Sequence, residues 1–74
     1  MGKYAVQKYR YGDMVVEVAK IVDVTENIRK FQCLVRGFGH GNQTPRKQYI
    51  IETETNAKAS RIALQAYQEE YGTK

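Results

Sequence analysis

Hydrophobic and polar residues alternate in four stretches of this chain, and the pattern then changes to a helical period. Alternation of apolar and polar side chains is typical of strands that bury one face. It predicts strands over residues 3–10, 14–24, 30–38 and 46–53. The second stretch is the strongest because it is rich in β-branched residues. We expect its even positions, including Val22 and Val24, to form the apolar face.

The last element is predicted to be a helix over residues 56–71, with Thr53 or Thr55 as its cap and Gly72 after its end. One side of this helix is apolar and rich in alanine, which allows close packing on a sheet. The residues expected on that side are Ala59, Ile62, Ala63, Leu64, Ala66, Tyr67 and Tyr71. The order of elements predicts an α+β fold: a four-stranded antiparallel sheet with one C-terminal helix packed on one face (ββββα). We expect a single domain over residues 1–74, with the other sheet face open.

Composition favours a surface that binds a partner over an enzyme with a deep site. The chain has 74 residues, with 12 basic and 8 acidic side chains and a formal net charge of +4. So short a chain buries a thin core, which leaves little room for a catalytic pocket. The single cysteine excludes an intramolecular disulfide and fits a reducing compartment. The chain shows neither a transmembrane nor a signal-peptide pattern. We therefore expect a small cytoplasmic protein, in the host-cell cytoplasm if it is phage-encoded.

Positive charge is concentrated in the middle of the chain. The 25 positions from 27 to 51 contain no acidic residue but five basic ones. Lys30, Arg36 and Arg46 occupy even positions, opposite the apolar faces of the third and fourth predicted strands, so we expect them on the open face. An ordinary solvated face is the alternative explanation. The candidate binding residues, for nucleic acid or another acidic partner, are Lys8, Arg10, Tyr11, Lys30, Gln32, Arg36, His40, Arg46, Lys47 and Gln48.

Within this set, the residue types predict two roles. Lysine and arginine position a protein on phosphates, whereas glutamine can contact base edges. We expect phosphate contacts from Lys30, Arg36, Arg46 and Lys47 on the open face. Gln32 and Gln48 would lie nearer the bases.

No catalytic, metal or cofactor site is predicted. One histidine and one cysteine cannot supply the three or four ligands of a zinc site, and Cys33 is expected to pack in the core. The glycines at 37, 39 and 41 lack the spacing of a dinucleotide-binding fingerprint and are not followed by a helix. They predict an irregular loop, either a simple connection or a mobile loop that carries Phe38 and His40 to a partner.

Residues 49–67 contain a strand followed by an alanine-rich helical segment. This segment resembles the arm-binding domain of phage integrases and the plant ethylene-response DNA-binding domain. Both families place a three-stranded sheet in the major groove with one helix behind it, whereas four strands are predicted here. Residues 57–64 also look like the last helix of double-stranded RNA-binding domains, which begin with a helix that this chain lacks. The size and architecture are also similar to those of phage anti-CRISPR proteins.

These resemblances leave the partner open. The first expectation is a nucleic-acid-binding protein, DNA or RNA, that uses the open sheet face. The second is a phage-type inhibitor or adaptor that binds an acidic surface of a host protein or ribonucleoprotein complex. The chain is expected to be a monomer, or a dimer formed through the first or fourth strand at an edge of the sheet.

Overall fold

Four strands and one helix follow one another in the predicted order. The structure is a computed structural model that describes residues 5–37 and 45–71. The elements are β1 (Val6–Tyr11), β2 (Met14–Asp23), β3 (Arg29–Gly37), β4 (Lys47–Thr53) and α1 (Asn56–Tyr71). Each strand pairs antiparallel with the next, in the order β1-β2-β3-β4. The predicted α+β fold of ββββα type is therefore confirmed. Two positions of the first predicted strand, Lys3 and Tyr4, lie outside the described residues.

The turn between β1 and β2 depends on Gly12. It is a two-residue loop, and Tyr11 pairs with Met14 across it. Gly12 has a φ of 63°, in the left-handed region that only glycine adopts without strain. A positive φ at the first of two loop residues is typical of a type II′ turn, whose twist matches that of the two strands.

A register shift in β2 changes which side chains face the helix. The pairing between β2 and β3 is regular up to Lys20 and is displaced by one residue before Val22. Because side chains alternate between faces, one inserted residue moves all later ones to the opposite face. Val22 therefore lies opposite Lys30 on the open face and is 47% exposed, and Val24, just after the end of β2, is 46% exposed. The prediction that they continue the apolar face of β2 was wrong.

The core lies between α1 and one face of the sheet. The helix packs on β2, β3 and β4, and its contact with β1 is smaller. Small side chains at Ala59 and Ala63 allow the helix backbone to come close to the strands. The fully or almost fully buried core residues are Val16, Val18, Phe31, Cys33, Val35, Ala59, Ala63 and Tyr67.

The predicted helix face was partly wrong. Ile62 and Tyr71, expected on the covered side, are 42% and 45% exposed, whereas the polar Ser60 is completely buried. The Ser60 hydroxyl donates to the Ala57 carbonyl oxygen at 2.7 Å and shares a 2.6 Å hydrogen bond with the Tyr11 hydroxyl. A buried hydroxyl is tolerated when it is hydrogen-bonded in this way. Ser60, not Ile62, therefore lies on the side of the helix that faces the sheet.

Hydrogen bonds fix both ends of α1. Of the two candidate caps, Thr53 lies within β4, and Thr55 caps the helix by accepting a hydrogen bond from the Lys58 amide at 3.2 Å. Near the other end, the Tyr67 hydroxyl donates to the Pro45 carbonyl oxygen at 2.9 Å. Within the described residues, no helix is both long and apolar enough to cross a membrane.

Candidate nucleic-acid interface

The open face is the side of the sheet away from α1, and the strand register defines what lies on it. Residues directly opposite each other on neighbouring strands point to the same side. Four rows of side chains therefore cross the open face. They are Arg10, Val15 and Arg36; then Lys8, Glu17, Leu34 and Gln48; then Val6, Ala19, Gln32 and Ile50; and finally Val22, Lys30 and Glu52.

One end of this face is basic. Lys8, Arg10, Val15 and Arg36 line a shallow depression of about 320 Å³, and we call these four residues the basic end. Arg10 and Arg36 are both opposite Val15, so their Cα atoms lie about 10 Å apart, two strand spacings. Val15 is only 5% exposed although it lies on the open face. The aliphatic parts of long basic side chains can cover such a residue while their charged groups stay in water.

An ion pair holds one of the arginines in place. The Arg36 Nη2 atom lies 2.9 Å from Glu17 Oε2, and the two side chains are 26% and 25% exposed. Because both side chains are partly buried, solvent screens this pair less than it screens a fully exposed surface pair. Glu17 therefore orients the guanidinium of Arg36 and also reduces the net positive charge of the basic end.

The opposite end of the open face is apolar, and we call Val6, Ala19, Ile21 and Ile50 the apolar end. Val6, Ile21 and Ile50 are 54%, 44% and 52% exposed. A second depression of about 400 Å³ runs beside Val6, Ala19 and Ile21. Exposed apolar clusters of this kind are typical of surfaces that contact another molecule.

The structure brings together only part of the predicted site. Lys8, Arg10 and Arg36 share the basic end, and Gln48 lies in the adjacent row. Arg46 is exposed and lies one residue before β4, at the same end of the sheet as Arg36. Gln32 lies in the row of the apolar end.

Lys30 is separated from the other cations of the predicted site. It is six residues from Arg36 along β3, which is about 20 Å. Its Nζ atom lies 3.8 Å from Glu52 Oε2, on the strand beside it. Lys30 therefore belongs to the other end of the open face.

Two predicted site residues do not lie on the open face. Lys47 is opposite the buried Val35, and its Nζ atom donates to Glu70 Oε2 of the helix at 3.3 Å. Tyr11 reaches the helix through its hydrogen bond with Ser60. Both occupy odd positions, and a step of one residue along a strand changes the face. Their prediction as open-face residues was wrong, and His40 lies outside the described residues.

Burial and hydrogen bonds shift the pKa values of titratable groups on the helix side of the sheet. Partial burial and the hydrogen bond to the Glu70 carboxylate raise the pKa of Tyr49 to about 12. The hydrogen bonds that Glu70 accepts from Tyr49 and Lys47 hold its own pKa below the usual range. Burial raises the pKa of the Cys33 thiol to about 11, so at neutral pH it is a protonated packing group. Among the described residues, no three histidine, cysteine, aspartate or glutamate side chains are grouped to hold a metal ion.

Sequence analysis missed Val15 and Glu17 as members of the site. Glu17 is directly opposite Leu34, and its contact with Arg36 runs diagonally between neighbouring strands. Diagonal pairs of this kind depend on the register, which is a long-range property. The only local signal was that Glu17 occupies an odd position in β2, away from the predicted apolar face.

A scan against models of protein families, a search of the curated proteins and a search of the solved structures each find no match to this chain.

Proposed function

We propose that this protein binds nucleic acid through the open face of its sheet. The observation that carries the proposal is the basic end, where Lys8, Arg10 and Arg36 line one depression. Among the described elements only α1 packs on the sheet, and it covers the other face. Clustered cations on an uncovered surface attract the phosphate backbone and release its counterions. Arg46 adds a further exposed cation at this end.

The side chains of the open face favour a double-stranded ligand. Proteins that bind single strands without sequence preference stack bases on aromatic side chains. Among the described aromatic residues, Tyr9, Tyr11, Phe31 and Tyr49 point to the helix side of the sheet, and Tyr67 and Tyr71 belong to the helix itself. The rows of the open face contain no described aromatic side chain, so contacts would be mainly to phosphates. Gln48 lies close enough to the basic end to approach a base edge.

Fluorescence anisotropy with duplex DNA, single-stranded DNA and duplex RNA of equal length tests this proposal. The test variant is Arg10→Gln/Arg36→Gln. The matched control is Lys58→Gln/Arg61→Gln, which removes the same charge from the exposed side of α1. We expect the test variant to lose affinity and to lower the slope of log affinity against log salt concentration by about two. Equal losses in both variants, or no binding by the wild type, would contradict the proposal.

The apolar end supports a second candidate function, an inhibitor or adaptor that binds an acidic protein or ribonucleoprotein surface. Val6 and Ile21 are exposed apolar residues, and contacts to phosphates would not bury them. Apolar contacts beside charged ones are typical of protein interfaces. This candidate predicts 1:1 binding to a protein that Val6→Lys weakens, together with little affinity for free nucleic acid.

A further inference from the structure

The outer side of β4 is an unpaired strand edge. Within residues 5–37 and 45–71, β4 pairs only with β3, so its other side has no strand beside it. An unpaired edge offers its backbone N–H and C=O groups to another strand. At the middle of this edge, Ile50 is 52% exposed. The edge therefore combines free strand-pairing capacity with an apolar centre.

The two ends of β4 carry opposite charges. Arg46 and Lys47 lie at its beginning, whereas Glu52 and Glu54 lie at its end. When two copies of such a strand pair antiparallel, the basic end of each lies beside the acidic end of the other. Opposite charges across a strand pair stabilise it, and like charges destabilise it.

A two-fold axis at Ile50 gives a register without like-charge contacts. Ile50 then faces the same residue of the second copy, and Gln48 faces Glu52. On the helix side, Tyr49 faces Ile51. The open faces of both copies lie on the same side of the resulting eight-stranded sheet, because the axis is perpendicular to it.

The other edge strand does not offer this complementarity. An antiparallel pair of β1 strands centred on Lys8 places two lysines directly opposite each other, and one centred on Tyr9 places Lys8 opposite Arg10. Basic residues on an edge strand are a common means of preventing such pairing. Charge thus distinguishes the two edges although Val6 and Ile50 are similarly exposed, at 54% and 52%.

We propose that this chain forms a symmetric dimer with a second copy of itself by antiparallel pairing of the two β4 strands about Ile50. The dimer does not depend on the nucleic-acid proposal, because its interface is an edge of the sheet and not the basic end. The interface is a short strand pair, so the dimer dissociates on dilution.

Light scattering coupled to size exclusion, without nucleic acid, tests the dimer over a dilution series. We expect the mass of the wild type to approach twice 8.5 kDa at millimolar concentration and to fall on dilution. Ile50→Lys places two positive charges opposite each other at the two-fold axis and is expected to raise the dimer dissociation constant about tenfold or more. The matched control is Val6→Lys, the same substitution at an equally exposed residue of the other edge, and it is expected to retain the dimer.

A mixing experiment separates loss of pairing from loss of folding. Ile50→Lys and Ile50→Glu are each expected to be monomeric with unchanged circular dichroism, and their mixture is expected to recover the dimer mass. If either variant does not fold, Ile50→Thr is measured alone in its place and is expected to weaken the dimer. A wild type that stays monomeric at millimolar concentration, an equal effect of Val6→Lys, or a mixture of folded variants that stays monomeric would each overturn the proposal.

Discussion

Replacing Glu17 with glutamine should strengthen nucleic-acid binding, although it removes an ion pair. A phosphate on the side of the Arg36 guanidinium away from Glu17 would lie about 6 Å from the Glu17 carboxylate. At a water-like dielectric constant, the repulsion between this phosphate and the carboxylate is about 0.7 kcal/mol. Removing it corresponds to about a threefold lower Kd at low salt. The ion pair between Arg36 and Glu17, with a 2.9 Å N–O distance, lies near the protein surface. Its loss should therefore cost about 1 kcal/mol of folding stability or less. Anisotropy of a labelled duplex with both proteins, at low and near-physiological salt, measures the change.

Glu52→Gln is the matched control for this prediction. It makes the same change in net charge on the same face, but Glu52 pairs with Lys30 at the far end of the sheet. The gain in affinity should be smaller than for Glu17→Gln, because the repulsion is screened over a Debye length of about 10 Å at 0.1 M salt. A folded Glu17→Gln variant with unchanged or weaker affinity, or an equal gain from both variants, would refute the role given to the basic end.

Three further predictions concern the folded core and the helix side. Phe31→Ala should lower the free energy of unfolding by about 3–5 kcal/mol in urea denaturation, because Phe31 is completely buried, and a cost near zero would contradict its position. The raised pKa of Cys33 predicts that alkylation at pH 8 is slow in the native protein and becomes fast in denaturant; rapid native labelling would refute its burial. The lowered pKa of Glu70 contributes stability that is present above its ordinary pKa of 4.5 and is lost as the pH falls through the lower folded value. Glu70→Gln should therefore reduce the loss of unfolding free energy at acidic pH more than Glu69→Gln does. Identical plots of unfolding free energy against pH would contradict a stabilising role of the Glu70 carboxylate.

The sequence predicted the order and type of all five elements because those signals are local. Alternation and helical period arise from neighbours within a few residues, so the four strands and the bounds of α1 followed directly. The faces of β3 and β4 also followed from parity, which correctly placed Arg36 and Gln48 on the open side. Lys47 was predicted from its charge, against its parity, and was misplaced.

What the sequence could not supply depends on contacts between distant segments. The bulge before Val22 has no local marker such as glycine, and it alone moves the end of β2 to the other face. The burial of Ser60 depends on Tyr11, which is 49 residues away along the chain. The pairing of Arg36 with Glu17 likewise needs the register of β2 against β3. A net charge of +4 predicts that cations exist on the surface, but only the register gathers three of them into one depression.

Nuclear magnetic resonance with ¹⁵N-labelled protein and a short DNA duplex gives the most direct test of binding at the basic end. The predicted result is that amide shifts on titration are largest at Lys8, Arg10, Val15 and Arg36, and that added salt reverses them. Residues such as Arg61, on the exposed side of α1, should change little. Shifts confined to α1, or a spectrum that the duplex leaves unchanged at low salt, would contradict nucleic-acid binding through the open face.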